Sequence, residues 1–451
     1  MPRKLQKPVN PGRLLITGYL TIILLGAVLL YLPVSSHGIT PIDALYTSTS
    51  AVCVTGLIVK DTATDFTLVG KIIILLLIQI GGLGYMILST AFFFFIGQRL
   101  SLRDRLLVRE SINYLSYENL RRFAFNVVRV TFLAEGVGAL ILFTYFVRTD
   151  MKIEYAAGHA IFHSVSAFCN AGFSSFSNNL AGYANSLLVP FVISTLFIMG
   201  GLGFVVISDV YKTYIRKTSD RLSLHSKSVL TVTACLIGIG TLIILLLEWN
   251  TSLKIFSLTQ KIVNGFFMAV APRTAGFNLI NISVFHQATM FFIIILMFIG
   301  ASSGGTGGGI KTTTFSLIIL QLKALLTGHT EILIFKRRVS NEQIFKAFLI
   351  VGLAVTWVLT SLILLLIFNR EPLDIMTAIF EIFSAFGTVG LSLGSRFVSN
   401  LSASYDYSVI GKLIIIMTMI IGRVGVLTLA TALIKKKILT YTHPEGVILV
   451  G

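Results

Sequence analysis

The sequence has 451 residues, of which 55% are hydrophobic and only 12% are charged. Its mean hydropathy of +0.87 excludes an ordinary soluble domain and predicts a chain that crosses a membrane several times. The net charge of +17 is divided among short segments between the apolar stretches, which argues against a nucleic-acid-binding surface. The three cysteines, Cys53, Cys169 and Cys235, form no CxxC motif and no cluster with histidine, so neither a metal site nor a disulfide scaffold is predicted.

Eight apolar stretches are long enough to cross about 30 Å of hydrocarbon. They run over residues 14–32, 68–95, 123–146, 187–210, 229–247, 289–326, 344–368 and 410–434. Within each successive pair lies a shorter apolar segment, predicted as a half-helix, over residues 42–53, 157–169, 259–271 and 374–386. A half-helix at membrane depth must be buried in protein or face an aqueous cavity, so four of them imply one shared pore.

Each half-helix is followed by a tripeptide that ends in glycine, and the tripeptides recur at intervals of 104 to 116 residues. They are Val54-Thr55-Gly56, Asn170-Ala171-Gly172, Thr274-Ala275-Gly276 and Thr388-Val389-Gly390. Glycine lets the chain leave the helix in an unusual backbone conformation, and a ring of carbonyls can replace the hydration shell of a cation. The negative C-terminal ends of the half-helices point to the same place. We therefore predict a cation-selectivity filter and not four ordinary extracellular turns.

The predicted fold is an all-α membrane protein with four tandem helix–pore-loop–helix repeats. Eight transmembrane helices and four half-helices surround a central pore with pseudo-fourfold symmetry. The repeats span residues 1–110, 111–225, 226–338 and 339–451. Lys and Arg are concentrated in alternate connections and in both terminal segments, which hold 23 of the 36 basic residues. By the positive-inside bias both termini are cytoplasmic, and the four tripeptides lie on the outer side of the membrane.

The second apolar stretch of the third repeat contains six glycines within ten residues and cannot continue as a regular helix. Residues 304–312 nearly match a phosphate-binding loop, but Ile310 separates Gly309 from Lys311 and no strand precedes them. We instead predict a gate below the filter. Its residues are Gly300, Ala301, Ser302, Ser303, Gly304, Gly305, Thr306, Gly307, Gly308, Gly309, Lys311 and Arg423.

Arg423 lies in the last apolar stretch, roughly 17 Å from either end if that stretch is one helix. A charge at this depth faces the interior of a helix bundle or an aqueous cavity. We predict that Arg423 donates hydrogen bonds to carbonyls of the glycine-rich segment and forms a positive barrier on the cation path. The alternative, a structural arginine paired with a carboxylate, remains open. Glu135 is expected to pair with Arg129 or another helix, and Glu381 with Arg273.

The loops VTGL, NAGF, TAGF and TVGL, the glycine-rich interruption and the arginine of Ile421-Gly-Arg-Val-Gly425 together resemble the Trk/Ktr/HKT potassium transporter superfamily. Within it the chain is most similar to the membrane subunit of bacterial Ktr systems, over nearly all of its length. The resemblance implies potassium as the substrate, bound at the carbonyls near Gly56, Gly172, Gly276 and Gly390. Gly56 agrees with potassium-conducting members, since sodium-selective plant members carry serine there.

The resemblance also implies a homodimer in the bacterial cell membrane, with one pore per subunit and frequent stimulation by sodium. A cytosolic ring of nucleotide-binding RCK subunits is the implied partner. Only 14 residues follow Lys437, so nucleotide would bind to that partner and no covalent cofactor is expected on this chain. The basic cytoplasmic segments offer a docking face for the ring, or alternatively bind anionic lipid.

Three classes of function follow. The leading prediction is a channel-like subunit for potassium uptake, driven by the membrane potential. The alternative is a sodium- or proton-coupled secondary cation transporter, a class typically built from inverted repeats. A membrane-embedded enzyme or a structural subunit ranks last, because no Ser/His/Asp or Cys/His arrangement is evident.

Overall fold

The computed structural model describes residues 11–84, 120–217, 220–328, 332–335, 337–369 and 373–433. Their regular secondary structure is helical, apart from a small hairpin in which Leu333–Ile334 pairs antiparallel with Arg337–Arg338. The basic segments before residue 11 and after residue 433, and most of the basic segment over 99–122, lie outside the described residues.

Each repeat consists of a first helix, a short pore helix and a second helix, as predicted. In the first half of the chain these are α1 (Pro11–Tyr31), α2 (Pro41–Val52), α3 (Leu68–Leu83), α4 (Leu120–Arg148), α5 (Ile153–Phe168), α6 (Leu188–Leu202) and α7 (Phe204–Val210). In the second half they are α8 (Leu224–Glu248), α9 (Leu258–Val270), α10 (Gln287–Phe298), α11 (Thr312–Leu326), α12 (Asn341–Phe368), α13 (Ile375–Gly387), α14 (Val409–Val424) and α15 (Val426–Leu433). A π-helical turn, Tyr211–Ile215, follows α7, and short 3-10 turns cover Ala181–Tyr183, Ile282–Val284 and Ala403–Asp406.

The pore helices α2, α5, α9 and α13 have 12 to 16 residues, or about 18 to 24 Å, which is too short to cross the hydrocarbon. Local signals set where several of them begin. Thr40 caps α2 by accepting a hydrogen bond from the Asp43 N–H, and Pro41 occupies the first turn. Asp374 caps α13 in the same way. The four predicted half-helices are thus confirmed, although α5 begins four residues earlier than expected.

The second helices are shorter than the sequence predicted. The apolar stretches 187–210 and 410–434 each contain two helices, bent by 98° and 94° respectively. The bends occur at Gly203 and Gly425, whose φ angles of +94° and +91° cannot continue a right-handed helix. Gly84, with a φ of +77°, ends α3. The assumption that residues 410–434 form one helix, on which the depth of Arg423 was estimated, is therefore wrong, because α14 ends at Val424.

Two hydrophobic cores hold the repeats together in pairs. One core joins repeats two and three around Phe168, Phe197 and Phe267. The other joins repeats one and four around Tyr46 and Met419. Numerous apolar side chains on the first helices remain exposed, such as Leu24, Leu246 and Ile367, as expected for a surface in contact with lipid.

Candidate ion pathway

The four tripeptide glycines meet in a closed ring, although they are distant in sequence. Going round the ring, a Cβ atom added to each glycine would contact the carbonyl oxygen of the middle residue in another tripeptide: Gly56 meets Ala171, Gly172 meets Ala275, Gly276 meets Val389 and Gly390 meets Thr55. For Gly56 and Gly276 that distance would be 2.5 Å, so these positions have no room for a side chain. The order of repeats around the ring follows their order in the chain, which places repeats two and four opposite each other.

The backbone of the tripeptides is unusual at two positions and not only at glycine. The glycines have φ angles between +68° and +92°. The first residues, Val54, Asn170, Thr274 and Thr388, have φ angles between +50° and +73°, which is unfavourable for side chains that branch at Cβ. The middle residues have negative φ. Alternation of this kind turns successive peptide groups to the same side of the chain, as a carbonyl-lined cation site requires.

Three serines support the ring from behind, and the sequence interpretation missed them. Ser50 Oγ accepts a hydrogen bond from the Gly56 N–H at 3.0 Å, and Ser384 Oγ accepts one from the Gly390 N–H at 3.1 Å. Ser166 Oγ instead donates to the Phe173 carbonyl at 2.7 Å. Each serine stands six residues before its glycine. The recurrence of serine at this position in three repeats could have predicted these contacts from the sequence. The third repeat breaks the pattern, because it has Val270 at the corresponding position.

The second helices approach the ends of the pore helices so closely that only glycine fits. A Cβ atom on Gly81, Gly200 or Gly422 would collide with the last-turn carbonyls of Val52, Phe168 and Phe386, respectively. In the third repeat the corresponding glycine, Gly300, lies against the Gly308 carbonyl of the glycine-rich segment.

A cavity of about 170 Å³ opens on the side of the glycine ring away from the glycine-rich segment, here called the outer side because the sequence predicts that orientation. Every described residue that lines it is uncharged, and many carry amide or hydroxyl oxygens, among them Asn179, Asn278, Asn400, Ser174 and Ser392. Such oxygens can take over part of the hydration shell of a cation before it reaches the ring.

The glycine-rich segment, residues 300–309, forms a loop directly beneath the ring. The Gly300 N–H donates to the Ile310 carbonyl at 2.8 Å and closes the base of the loop. Thr306 Oγ1 donates to the side-chain oxygen of Asn170 at 3.1 Å. A Cβ atom on Gly307 would collide with the side chain of Thr274. The loop thus contacts the first residues of several tripeptides.

Hydrogen bonds also attach this loop to the second helices of the other repeats. The N–H groups of Ser302 and Thr306 donate to the carbonyls of Gly201 and Gly200, at 3.0 and 3.1 Å. Arg423 donates to the main-chain carbonyls of Thr306 and Gly81. Arg423 therefore connects the loop to repeats four and one.

The remaining residues of the predicted gate lie in the same loop or at its base. Ala301 is buried, and Ser303 Oγ lies 3.1 Å from Thr313 Oγ1. Three main-chain hydrogen bonds hold the glycines of the loop: the Phe204 N–H donates to the Gly304 carbonyl, the Gly305 N–H to the Ser302 carbonyl and the Gly309 N–H to the Gly422 carbonyl. At the base of the loop, Lys311 Nζ donates to the Gly307 carbonyl at 2.7 Å. The structure thus brings all twelve gate residues together, and their function stays a prediction.

The expected pairing of Glu381 with Arg273 is wrong. Glu381 accepts hydrogen bonds from Ser392 Oγ and from the main chain and hydroxyl of Ser404. Arg273 is directed towards α8, where it lies 3.4 Å from Thr233 Oγ1. Glu135 accepts a hydrogen bond from Gln79 of α3 at 3.3 Å, which agrees with the alternative of a partner on another helix.

The sequence profile of the family described as TrkH, a cation transport protein, matches residues 14–439. The chain is 39% identical to the Ktr system potassium uptake protein B of Vibrio alginolyticus, over 97% of this chain and 94% of that protein. It is 34% identical to the potassium/sodium uptake protein NtpJ of Enterococcus hirae, over 100% of this chain and 99% of that protein. The fold is similar to the crystal structure of the potassium transporter TrkH from Vibrio parahaemolyticus, with a TM-score of 0.74 and 18% identity, covering 96% of this chain and 87% of that one. The helix–pore–helix repeats, the glycine ring and the extent of these matches lead to one conclusion: the chain belongs to the TrkH family of cation transport proteins.

Proposed function

We propose that this chain takes up potassium through a channel-like pore, as the membrane subunit of a Ktr-type system. The observation that carries the proposal is the closed ring of four glycines, each against a carbonyl of another tripeptide. Carbonyl groups from four repeats around one axis can replace the hydration shell of a potassium ion. Relatives named as potassium uptake proteins support potassium as the substrate.

In this proposal a potassium ion enters the outer cavity, exchanges part of its water for amide and hydroxyl oxygens, and then binds at the ring. The inward membrane potential drives it, at about 2.3 kcal/mol per elementary charge for each 100 mV. Below the ring, the glycine-rich loop occupies the path and Arg423 places a positive charge beside it. We propose that this loop is the gate, and that conduction requires its displacement.

A coupled secondary transporter is less well supported. Carriers of that class are commonly built from inverted repeats with a binding site near the bilayer midplane. Here the four repeats share one order of elements, and their special backbone segments all meet in one ring next to an open cavity.

We further propose the surroundings of the pore. Both termini lie in the cytoplasm of a bacterial cell, on the basis of the basic segments. Two copies of the chain form a homodimer, and a separate cytosolic RCK ring carries the regulatory nucleotide. The words "Ktr system" in the names of relatives support a multicomponent assembly, and the name of NtpJ supports a role for sodium.

Cation flux into proteoliposomes tests the proposal. Potassium and sodium uptake would be measured at an imposed inside-negative potential, for the native chain and for Gly56→Ser. We expect potassium-selective flux that loses its selectivity in Gly56→Ser, because the φ of Gly56 is +89° and its Cβ would lie 2.5 Å from the Ala171 carbonyl. Gly158→Ala is the control, since nothing lies within 4 Å of that position. Absence of flux from the native chain, both alone and with its cytosolic partner, would contradict the proposal.

A further inference from the structure

Two buried titratable residues occupy the same position in repeats two and four. His163 on α5 and Glu381 on α13 each stand nine residues before their ring glycine. Both side chains are fully buried. Each contacts the serine that follows its glycine by two residues: His163 Nε2 lies 2.9 Å from Ser174 Oγ, and Ser392 Oγ donates to Glu381 at 2.7 Å. On opposite sides of the pore, an imidazole and a carboxylate therefore bind the hydroxyl group of the equivalent serine.

The imidazole of His163 is oriented by the helix on which it lies. Its Nδ1 is 2.8 Å from the His159 carbonyl, and because a carbonyl only accepts, Nδ1 carries a hydrogen. In the neutral ring Nε2 is then an acceptor for the Ser174 hydroxyl. The ring also stacks on Phe176, with a centroid distance of 4.6 Å. His163 thus connects the pore helix to the chain that leaves the second tripeptide.

Glu381 makes the equivalent connection in the fourth repeat with a carboxylate. One oxygen accepts from Ser392 Oγ, and the other accepts from the Ser404 N–H at 3.0 Å and from its hydroxyl. Ser392 Oγ is itself an acceptor for the N–H groups of Gly394 and Ala403. Its hydroxyl hydrogen therefore has Glu381 as its acceptor, and both oxygens of the carboxylate are used.

These two contacts extend to the neighbouring repeats. Ser174 Oγ accepts a hydrogen bond from the Phe176 N–H at 3.0 Å, and further along the same loop the side chain of Asn179 accepts one from the Asn278 N–H of repeat three at 3.4 Å. On the other side, Ser402 exchanges two hydrogen bonds with Ile58 of repeat one, at 2.9 and 3.0 Å. Two networks therefore surround the outer side of the ring, and each has one buried titratable residue at its base.

Repeats one and three lack such a residue at the corresponding position, where Thr47 and Phe267 stand. Both are buried, and Thr47 Oγ1 has no hydrogen-bond partner among the described residues. A residue at this position of a pore helix therefore does not have to bind the segment that follows the tripeptide. The contact is specific to His163 and Glu381.

We propose that His163 and Glu381 are positioning residues that hold the outer side of the glycine ring at the width that suits potassium. The inference rests on the proposed function. Ser174 and Ser392 line the outer cavity together with the ring glycines. A ring held in place on two opposite sides cannot contract around sodium, which is smaller than potassium. Its carbonyl oxygens then lie too far from a sodium ion to replace the water molecules that the ion loses on entering, so sodium binds less well than potassium.

Concentration-dependent uptake of potassium and sodium into proteoliposomes tests the inference. The variants are His163→Phe, which keeps an aromatic ring and removes both hydrogen bonds, and Glu381→Gln. Glutamine places its NH2 group either against the Ser392 hydroxyl or against the fixed Ser404 N–H, so one contact is lost in either orientation. For each variant we expect the KM for potassium to rise and the preference for potassium over sodium to fall by about fivefold, the effect of one hydrogen bond, with little change in maximal rate.

Matched variants separate positioning from a general structural effect. Thr47→Val changes the same position in repeat one, where no hydrogen bond exists, and should keep the native KM and selectivity. Ser174→Ala and Ser392→Ala remove the other partner of each contact and serve as the test if a variant of the buried residue does not fold. Each should reproduce the change in selectivity. Combining Glu381→Gln with Ser392→Ala should add little to either change alone, because both act on the same contact.

The two proposals fail in different ways. Absence of potassium flux from the native chain contradicts the proposed function. Selective flux in the native chain that Ser174→Ala and Ser392→Ala leave unchanged, in both KM and selectivity, overturns only the role of His163 and Glu381.

Discussion

The main-chain N–H of Gly308 donates a hydrogen bond to Thr388 Oγ1 at 2.9 Å. Thr388 is the first residue of the fourth tripeptide and has a left-handed φ of +50°, while Gly308 belongs to the loop beneath the ring. A Cβ atom on Gly308 would lie 2.6 Å from the same oxygen, so the two segments have no space between them. Movement of the loop and the conformation of this tripeptide are therefore coupled through one contact.

Thr388→Val should raise potassium flux. Valine keeps the branched shape but offers no acceptor to Gly308, so the closed position of the loop loses one hydrogen bond of about 1 kcal/mol and its open fraction rises about fivefold. Initial potassium uptake into proteoliposomes measures the effect. Thr356→Val on α12 is the control, because its hydroxyl bonds only within its own helix. Unchanged flux in correctly folded Thr388→Val protein would show that this contact does not hold the gate closed.

Arg423→Gln should raise flux more strongly, by about tenfold, since it removes both the positive charge and the hydrogen bonds to Thr306 and Gly81. Arg423→Lys separates the two effects, because lysine keeps the charge but lacks the planar fork that reaches two carbonyls. An intermediate flux is expected for lysine. If neither variant assembles, as judged by size-exclusion chromatography, the result would favour a structural role for Arg423 over a positive barrier on the cation path.

Gly276→Ala should abolish potassium-selective flux. The φ of Gly276 is +72°, and the added methyl group would lie 2.5 Å from the Val389 carbonyl, so the ring has to distort. Gly238→Ala on α8 is the matched control, since it has no atom within 4 Å and should conduct as the native chain does. The measurement is the ratio of potassium to sodium uptake. A native ratio in Gly276→Ala would mean that the glycine ring does not select.

Lys412→Met should lower the thermal stability of the protein in detergent. Lys412 Nζ is 2.9 Å from Asp43, and this largely buried ion pair joins the first turns of α14 and α2, which belong to repeats four and one. Removing one partner leaves a buried charge without its partner, at a cost of about 3 kcal/mol. Lys412→Met combined with Asp43→Asn should recover part of the lost melting temperature. Additive losses in the double variant would contradict the pairing.

The pore helices and their tripeptides were accessible from the sequence because their signals are local. Capping residues such as Thr40 and Asp374 lie next to the helices they begin, and each tripeptide follows its helix directly. The inner breaks were harder to place. Gly203 and Gly425 stand within apolar stretches, where hydropathy continues across a bend because the bent segment is apolar as well.

The hydrogen bond from Arg423 to the glycine-rich loop was predicted, but several other side-chain contacts escaped the sequence interpretation. The serine contact of His163 joins residues in one repeat, but a single histidine among apolar neighbours carries no signal of its partner. Glu381 and Arg273 have opposite charges, which suggested an ion pair, yet each is directed towards hydroxyl groups of its own surroundings. Complementary chemistry alone does not predict a contact when the folded backbone turns the side chains apart.

The sequence by itself determined the membrane class, the four repeats, the half-helices and the glycines with unusual backbone conformation. Hydropathy, chain length and the steric freedom of glycine act over a few residues, so they are readable without a fold. Only the tertiary structure decided which residues meet: the order of the four glycines in the ring, and the hydrogen bond of Arg423 to Gly81 across 342 positions of the chain. Those contacts depend on how whole helices pack, and small residues at the helix ends permit an approach that no local pattern specifies.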